Sequence, residues 1–388
     1  MKKRNYLKQA GNKKKKWYTL FKWFFYSFFG ALTLFFALFL IISAYSGFIS
    51  PEKNVFFAYT GLFFPFLLII NLIILIYWII IKKWLMSLLL LAIFAICWKP
   101  ITTFCPFHLK TKELPQGELI KVLSYNVMSF AYRNHTKKDA NKIIQYIAES
   151  EADIVCLQEY MVSARPNLMS SKDVADALPM YPYIAELFFT APENKSYKYG
   201  LALLSKFPIL GSRKITLHSS PYNGAAIHEI SVRGKKVIVV NNHLESFKLT
   251  AEDRSKYSDM ITHVSFELFD ELRGAMRHKL GQAFRIRARQ ADKIADEIRE
   301  TDGYHTIVCG DFNDTPLSYA HRKIQGPLID AYSESGFGMG VSYNQNFFYF
   351  RIDHIFHSVN MEAYNCRVDT RVKLSDHYPI TCYLKLNE

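Results

Sequence analysis

The sequence predicts a four-layer α/β sandwich, with two packed mixed β-sheets flanked by helices, preceded by three transmembrane helices. Apolar residues crowd the first hundred positions, whereas the composition beyond about Lys110 is that of an ordinary globular protein. In this second part, short apolar strands alternate with amphipathic helices. The predicted organisation is a basic N-terminus (1–20), a membrane anchor (21–100), a linker (101–118) and a globular domain (119–388).

The net charge of +14 belongs almost entirely to the N-terminal part of the chain. The first 110 residues hold 14 of the 48 Lys and Arg residues, and Glu52 is their only acid. The rest of the chain holds 34 basic and 33 acidic residues, so the globular domain is close to neutral. A nucleic-acid-binding domain usually carries a basic excess, so the charge argues against a nucleic-acid partner without excluding one.

Three apolar segments predict the membrane anchor, at Phe21–Ile49, Val55–Ile81 and Trp84–Trp98. The first two exceed the ~20 residues that cross a bilayer. The first is too long for the apolar part of a signal peptide and lacks a small-residue cleavage site. The third is shorter and ends near Pro100, so the number of spans depends on it.

Flanking charges predict the orientation of the anchor. Eight basic residues precede the first segment, and Lys82 and Lys83 separate the second from the third. The connection between the first two carries only Lys53 beside Glu52. The positive-inside rule then places the N-terminus in the cytoplasm, and three spans place the domain outside it, at a bacterial inner membrane. Two spans would place the domain in the cytoplasm.

Polar side chains follow the apolar strands of the domain. Strands are predicted at 120–127, 153–157, 200–204, 229–232, 235–241, 306–310, 352–357 and 380–386, and helices from Thr136 and over 251–300. A strand end is a rigid platform from which a side chain can point into a shared cleft. The polar residues at these strand ends are Asn126, Glu159, His243, Asp311, Asn313, Asp353, Asp376 and His377.

The chemistry of these side chains is coherent. Carboxylates and amides are hard oxygen ligands that suit Mg²⁺ or Mn²⁺. The six cysteines have no metal-type spacing and HExxH is missing, which argues against zinc. A divalent cation, an oriented water and a proton donor are what phosphate-ester hydrolysis needs. The set therefore predicts a Mg²⁺-dependent site, with Mn²⁺ as the alternative ion.

Six short segments resemble the motifs of the endonuclease/exonuclease/phosphatase superfamily, which is deoxyribonuclease I-like, and they occur in the same order. Each segment is short and weak alone, but six in order make a specific resemblance to a membrane-anchored, bacterial-type member. It covers about residues 119–386. The segments are LSYNV (123–127), CLQE (156–159), NNHLES (241–246), GDFND (310–314), RIDHIF (351–356) and SDHYP (375–379).

The resemblance implies a metal-dependent phosphodiesterase, nuclease or phosphatase, and a role for each residue. Glu159 is implied as the main metal ligand, with Asn126 and Asp376 assisting. Catalytic roles are implied as follows: Asp311 positions or deprotonates the water, Asn313 holds a phosphate oxygen, His377 contacts the phosphate and pairs with Asp353, and His243 stabilises the leaving group.

Several features leave alternatives open. The substrate is either a phospholipid or another phosphate ester near the bilayer, or a nucleic acid. The rival function is a non-catalytic binding module of the same fold. The sequence indicates no protein partner. Arg285, Arg287 and Arg289 are interpreted as a solvated helix face, with a phosphate contact as the alternative. The aromatic run 347–350 is interpreted as core packing, with a membrane-inserted rim as the alternative. The insertion 246–284 is either a packed helix or a lid.

Overall fold

The computed structural model describes residues 2–108, 114–117, 119–136, 139–190, 196–217, 222–247, 266–345 and 349–387. The chain folds as two compact units. One comprises residues 1–46 and 59–99, and the other comprises residues 47–58 and 100–388. The connection between the first two apolar segments therefore belongs to the same unit as the globular domain.

Apolar helices form the first unit. Trp78 Nε1 donates a hydrogen bond to Thr33 Oγ1 at 2.9 Å, and Trp78 packs with Leu75 and Leu90 in a small apolar cluster. The helices of this part of the chain are α1 (Lys2–Ala44), α2 (Val55–Leu62), α3 (Phe64–Ile80), α4 (Trp84–Ile96) and α5 (Trp98–Phe104).

One helix is long and apolar enough to cross a membrane by itself. Its apolar part, Leu20–Ala44, is 25 residues long. The pair α2 and α3 is bent by 58°, and the pair α4 and α5 by 61°. Each pair meets the same criteria of length and composition when counted together, which gives up to three spans. The predicted segments thus correspond to one straight helix and two broken ones.

Twelve strands and six further helices make up the described part of the globular domain. The strands are β1 (Leu119–Asn126), β2 (Ile154–Ser163), β3 (Tyr183–Thr190), β4 (Tyr197–Ser205), β5 (Ile209–Ile215), β6 (Gly224–Val232), β7 (Lys235–His243), β8 (His305–Asp311), β9 (Ile329–Asp330), β10 (Asp353–His357), β11 (Met361–Val368) and β12 (Ile380–Leu386). The helices are α6 (Met128–Ala131), α7 (Lys142–Glu149), α8 (Ser171–Ala177), α9 (Phe266–Arg299), α10 (Tyr319–Gln325) and α11 (Ala331–Ser335).

The strands form two six-stranded mixed sheets, in the orders β11-β12-β1-β2-β4-β3 and β5-β6-β7-β8-β10-β9. The pairs β1/β2 and β7/β8 are parallel, and the other neighbours are antiparallel. Val122 and Cys156 of the first sheet pack against Val239, Ile307 and Ile355 of the second in one buried core. Since parallel neighbours end at the same edge, the carboxyl ends of β1 and β2 lie together in the first sheet, and those of β7 and β8 lie together in the second.

Helices cover the outer face of each sheet, which confirms the four-layer sandwich. Ile143 and Ile147 of α7 and Val174 of α8 pack on the first sheet. Ile294 of α9 and Ile324 of α10 pack on the second. Alternate apolar residues along the strands fill the space between the sheets, and the amphipathic helices bury the faces outside.

Most predicted elements are present, with two differences of position. The helix expected from Thr136 begins at Lys142, because the side chain of Asn141 caps it by accepting a hydrogen bond from Ile143 N. The helix expected over 251–300 is α9 from Phe266 onward; residues 248–265, and with them much of the predicted insertion, lie outside the described residues. The tight β6–β7 hairpin at Arg233-Gly234 is present, with positive φ at both residues.

Candidate active site

Asp311 ends β8 and lies at the centre of the candidate site. It is fully buried, and its Cα pairs with His243 on one side and with Asp353 on the other. The preceding Gly310 has φ of +140°, and a Cβ there would lie 1.9 Å from the carbonyl oxygen of Asn242. Only glycine permits this close approach of β7 and β8, which brings the ends of three neighbouring strands together.

Asn126 and Glu159 come from the first sheet and face Asp311. Asn126 Nδ2 donates to Asp311 Oδ2 at 3.1 Å and to Glu159 Oε1 at 3.3 Å. Glu159 does not end a strand as the sequence suggested, because β2 continues to Ser163. Its register with β4 shifts between Leu157 and Tyr160, and Glu159 has φ of +50°. This bulge turns the carboxylate toward the site.

His243 and Asn313 lie beside Asp311 at the end of the second sheet and contact its carboxylate. His243 Nε2 lies 3.6 Å from Asp311 Oδ2 and 3.8 Å from Glu159 Oε1. The backbone N–H of Asn313 donates to Asp311 Oδ1 at 2.8 Å, and its amide donates to Asp311 Oδ2 at 3.2 Å and to the Leu244 carbonyl at 3.0 Å. The carboxylate is therefore oriented by donors on both of its oxygens.

His377 and Asp353 form a buried pair at the same edge. His377 Nδ1 lies 2.8 Å from Asp353 Oδ2, while His377 Nε2 lies 3.6 Å from Asp311 Oδ2. Asp376 is half-buried beside them, and its Oδ1 accepts a hydrogen bond from Ser375 Oγ at 3.2 Å. The structure thus joins seven of the eight predicted residues in one network of contacts, and the charge of Asp376 acts on Glu159 and His377.

Burial and charge shift the pKa values of these groups. Burial raises the pKa of Asp311 to about 6, although the neighbouring His377 and His243 act in the opposite direction. Burial and the charge of Asp376 raise the pKa of Glu159. Burial lowers the pKa of His243. His377 differs, because the surrounding aspartates outweigh its burial and raise its pKa well above the ordinary value. At neutral pH, His377 is therefore the cationic histidine.

The donor set fits a divalent cation. Potential ligand atoms of Asp311, Asp353 and His377 lie within 4.8 Å of one another; because a cationic His377 has no lone pair for a metal, the carboxylates are the ligands that this cluster offers. Asp353 Oδ1 is buried without a hydrogen-bond partner among the described residues. Glu159 and Asp311 are carboxyls whose ionised forms burial penalises, so a bound cation would offset that penalty. The predicted ligand set of Asn126, Glu159 and Asp376 borders this cluster.

Tyr199 is a site residue that the sequence reasoning did not find. Its hydroxyl hydrogen-bonds to Glu159, and burial raises the pKa of Tyr199. It lies on β4, which pairs with β2 at the bulge, across from Met161. A tyrosine within an alternating strand reads as a core residue. Only the pairing of β4 with β2 reveals that it reaches the site.

Buried polar side chains join the two sheets beneath the site. Gln158 Nε2 donates to Asn241 Oδ1 at 2.7 Å and to Ser124 Oγ at 3.1 Å. Asn241 Nδ2 donates in turn to the carbonyls of Leu157 and Ala202, both at 3.2 Å. The bridge fixes β7 of one sheet against β2 and β4 of the other, which keeps Glu159 and His243 in register.

The arginine stripe of α9 is only partly solvated. Arg285 and Arg289 are exposed, but Arg287 is fully buried and its Nε donates to Asp314 Oδ2 at 3.0 Å. Arg287 Nη1 also donates to the backbone carbonyl of Glu245 at 2.9 Å. The backbone N–H of Glu245 donates in turn to Gln290 Oε1 at 2.9 Å. The interpretation as a solvated face is therefore wrong for Arg287, which supports the loop after His243. Of the aromatic run, residues 347 and 348 lie outside the described residues.

Comparisons with known proteins agree with this arrangement. A family model described as "Endonuclease/Exonuclease/phosphatase family" matches residues 123–377, and one described as a domain of unknown function (DUF8431) matches residues 22–104. No curated protein sequence matches the chain.

Solved structures with a similar fold share little sequence with the chain. An endonuclease/exonuclease/phosphatase from Bacteroides vulgatus is 20% identical, with 70% of this chain and 100% of that chain covered and a TM-score of 0.48. One from Beutenbergia cavernae is 15% identical, with 69% and 72% covered and a TM-score of 0.48. The mannosyl-6-phosphatase Bt3783 of Bacteroides thetaiotaomicron is 18% identical, with 68% and 99% covered and a TM-score of 0.45.

The family match covers residues 123–377, about two thirds of the chain; it contains five of the six sequence motifs and the first three residues of the sixth, including all eight predicted site residues. The chain therefore belongs to the endonuclease/exonuclease/phosphatase family.

Proposed function

We propose that the chain is a membrane-anchored phosphoesterase that uses a divalent cation, Mg²⁺ or else Mn²⁺, to hydrolyse a phosphodiester or phosphomonoester. The observation that carries the proposal is the buried cluster around Asp311. Its Oδ2 lies 3.1 Å from Asn126 Nδ2 and 3.6 Å from both His243 Nε2 and His377 Nε2. Members of the family are phosphoesterases, nucleases or phosphatases.

The residues support hydrolysis by attack of water on phosphorus. In this reaction a P–O bond to water forms, the P–O bond to the leaving group breaks, and the leaving oxygen takes up a proton. Asp311 orients the water and accepts its proton, which its raised pKa of about 6 favours. His377, held cationic by Asp353, donates a hydrogen bond to a phosphoryl oxygen. Neutral His243 and the Asn313 amide contact the leaving group and a second phosphoryl oxygen.

Glu159 is the principal residue to hold the cation, with Asn126 and Asp376 beside it. The bulge in β2 points the Glu159 carboxylate at the Asp311 cluster, and Tyr199 donates a hydrogen bond that orients it. A divalent cation bound here supplies neutralisation of the negative charge that develops on the phosphoryl oxygens. Oxygen ligands dominate the set, so Mg²⁺ or Mn²⁺ suits it better than a softer ion.

The connection between α1 and α2 supports three membrane crossings. Arg289 Nη1 lies 2.7 Å from Glu52 Oε1, and the guanidinium of Arg322 lies 3.6 Å from the centroid of the Phe48 ring. The connection and the domain therefore lie on the same side of the membrane. An even number of crossings must separate them, and two crossings, one by α2 with α3 and one by α4 with α5, meet that condition. The basic N-terminus in the cytoplasm then leaves the domain outside it.

The near-neutral domain favours a substrate other than nucleic acid, since phosphate-backbone binding relies on basic residues. The rival, a non-catalytic module of the same fold, would tolerate loss of motif side chains. All eight predicted site residues are present, which disfavours it.

The test is turnover of bis-p-nitrophenyl phosphate and p-nitrophenyl phosphate by the full chain in detergent with Mg²⁺. We expect hydrolysis of at least one ester, its loss with EDTA, and a fall of about a hundredfold or more in the Glu159→Ala and His377→Ala variants. Glu149→Ala, which changes an exposed acid at the end of α7, is the matched control and should keep full activity. Hydrolysis that persists in EDTA, or full activity in both site variants, would contradict the proposal.

A further inference from the structure

Five exposed apolar side chains lie on the segments that join the proposed membrane spans to the domain and on the loop that leads from there to His377. They are between 51% and 64% exposed, unlike the apolar residues of the domain core. We call Phe48, Phe107, Phe337, Met339 and Tyr349 the apolar rim. Soluble domains rarely keep several large apolar side chains exposed together without an interaction partner.

The first link runs from the end of α5 to the loop after α11. α5 ends at Phe104, so Phe107 can lie at most about 11 Å from that end. Phe107 forms a β-bridge with Phe337, and their ring centroids are 6.4 Å apart. Gly338 N donates to the Pro106 carbonyl at 2.8 Å. The Phe337 loop is therefore attached to the chain just where the last proposed span ends.

The same loop continues into the candidate site. Tyr343, six residues after Phe337, forms a β-bridge with His377, and their ring centroids lie 5.1 Å apart. Six residues span at most about 20 Å. Ser342 Oγ accepts hydrogen bonds from the backbone N–H groups of Ile352 and Asp353, both at 3.0 Å. The loop that contacts Phe107 at its start therefore contacts His377 and Asp353 at its end.

A second link, independent of the first, joins the end of α1 to the other side of the site. α1 ends at Ala44, and Gly47 lies so close to the turn before α10 that a Cβ would come within 2.6 Å of the Leu317 carbonyl oxygen. Leu317 follows Asn313 by four residues, which span at most about 14 Å. The segment after α1 and the segment after α5 therefore each contact a part of the domain that lies close in sequence to a site residue or its partner, Asn313 in the first case and Tyr343, which pairs with His377, in the second.

We infer that the catalytic edge of the sandwich faces the bilayer, with the apolar rim in the lipid interface, and that the substrate is a phosphate ester carried by a lipid of that bilayer. The inference rests on the proposed function and names its substrate class. Aromatic side chains such as Phe107 and Tyr349 suit the headgroup region, where an apolar ring can be buried beside water. Water adds to phosphorus, the P–O bond to the lipid alcohol breaks, and that oxygen takes up a proton.

The opposite edge of the sandwich provides matched controls. β10 starts at Asp353 in the site and runs away from it, so Val359, two residues after its end, lies at the far edge. There Ser358 Oγ accepts a hydrogen bond from Thr306 N at the start of β8. Val359 is 73% exposed, at least as much as any residue of the rim. Changing it removes exposed apolar surface without touching the rim.

The first experiment uses the full chain in vesicles of phosphatidylethanolamine with either phosphatidylglycerol or phosphatidic acid as probe. We expect hydrolysis of at least one probe lipid, and about tenfold slower hydrolysis in the Phe337→Ser/Met339→Ser variant because its rim no longer enters the interface. Hydrolysis of p-nitrophenyl esters in solution should be unchanged in that variant, and Val359→Ser should leave both activities intact.

The outcomes separate the two proposals. A wild-type chain that hydrolyses neither nitrophenyl ester defeats the proposed function. A wild-type chain that hydrolyses a nitrophenyl ester but neither lipid, or a rim variant that loses both activities equally or neither, defeats the lipid assignment alone.

The second experiment does not depend on turnover. A nitroxide is attached to Met339→Cys, or to Val359→Cys as control, in a Cys105→Ser background, since the other five cysteines are buried. In vesicles, oxygen should increase the spin relaxation rate of the nitroxide at position 339 more than a water-soluble nickel chelate does. At position 359 the nickel chelate should have the larger effect. A Met339 label open to the chelate, or shielded from both reagents as by a second protein chain, would overturn the orientation.

Discussion

Replacing Arg287 by Met tests whether the loop after His243 is held by a buried ion pair. Arg287 is fully buried, donates to Asp314 at 3.0 Å and to the Glu245 carbonyl at 2.9 Å, and its guanidinium lies 4.5 Å from the centroid of the Phe247 ring. Methionine keeps the apolar contacts but leaves Asp314 buried without its cation. Breaking such a pair usually costs about 3–5 kcal/mol.

The lower end of that range is expected, because burial already raises the pKa of Asp314 and the uncompensated carboxyl can bind a proton. A loss of about 3 kcal/mol corresponds to a Tm lower by about 6–12 °C for a domain of this size. Turnover should fall as well, since the Leu244 carbonyl accepts from the Asn313 amide and Leu244 N donates to the Asp311 carbonyl.

The assays are thermal unfolding and steady-state turnover of the full chain in detergent. Arg287→Met should lower Tm and kcat with little change in KM, and adding Asp314→Asn should restore part of the Tm because it removes the stranded charge. Arg285→Met, at an exposed position of the same helix, is the control and should leave both quantities unchanged. An Arg287→Met chain with wild-type Tm and kcat would refute the reasoning.

Three further predictions follow from the site. Asp353→Asn removes the charge that holds His377 cationic, so turnover should fall by about a hundredfold or more. The high-pH limb of the pH–rate profile should move to lower pH, because the pKa of His377 falls. An unchanged pH–rate profile would contradict the pairing. The pKa of Asp311 in the folded metal-free chain is about 6, above its ordinary value of 3.8, so the stability that this group contributes is complete below about pH 4 and is lost as pH rises through 6. Ionised Asp311 adds a negative charge beside the proposed ligands Glu159 and Asn126, so the rise in Tm on adding Mg²⁺ should grow between pH 5 and 7; a rise that shrinks over this range would argue against a metal next to Asp311. Tyr199→Phe removes the hydrogen bond to Glu159 and should raise the Mg²⁺ concentration for half-maximal activity by about tenfold while Tm stays within a few degrees; an unchanged Mg²⁺ dependence would place Tyr199 outside the metal site.

The sequence predicts the sandwich and most of the site for the same reason. Each motif adjoins or lies within a short apolar strand, and strands of a buried sheet are the easiest elements to detect from hydrophobic pattern. The expectation that the polar residues follow their strands is wrong for Asp353, which begins β10, and for Asp376 and His377, which precede β12. The sequence therefore places Asp311 and His243 at strand ends, and the structure shows that these ends are neighbours, since their Cα atoms pair in β7 and β8. The missed strands, such as β5 with its largely exposed residues, lack that pattern.

The remaining features depend on contacts between distant segments. The bulge that turns Glu159 into the site arises from the pairing of β2 with β4, and Tyr199 reaches Glu159 through that same pairing. Helix geometry, by contrast, could have separated the arginines. Arg285 and Arg289 are four residues apart and share a face, whereas Arg287 is two residues from each and points the other way. Spacing alone therefore shows that the three arginines do not share one face, and the structure shows that the face of Arg287 is the buried one.

The bends in the anchor could not be predicted from composition. α2 and α3 meet at 58° around Phe63, where Pro65 stands at the start of the second helix. A hydropathy pattern averages over such a break, so a continuous apolar run and a broken one look alike. Evidence on which side of the membrane each connection lies comes from contacts along the chain instead, since Glu52 and Phe48 of the α1–α2 connection contact Arg289 and Arg322 of the domain.

The most direct test of the central claim is the fate of the attacking water. Turnover of bis-p-nitrophenyl phosphate, or of p-nitrophenyl phosphate if only the monoester is hydrolysed, in ¹⁸O-labelled water with Mg²⁺ should place one ¹⁸O atom in the phosphate product and none in p-nitrophenol. The Asp311→Asn chain, which keeps the shape of the side chain but not its basicity, should form product at least about a hundredfold more slowly. Label in p-nitrophenol, wild-type turnover by Asp311→Asn, or label uptake at the same rate in EDTA would contradict a metal-dependent attack of water on phosphorus at this site.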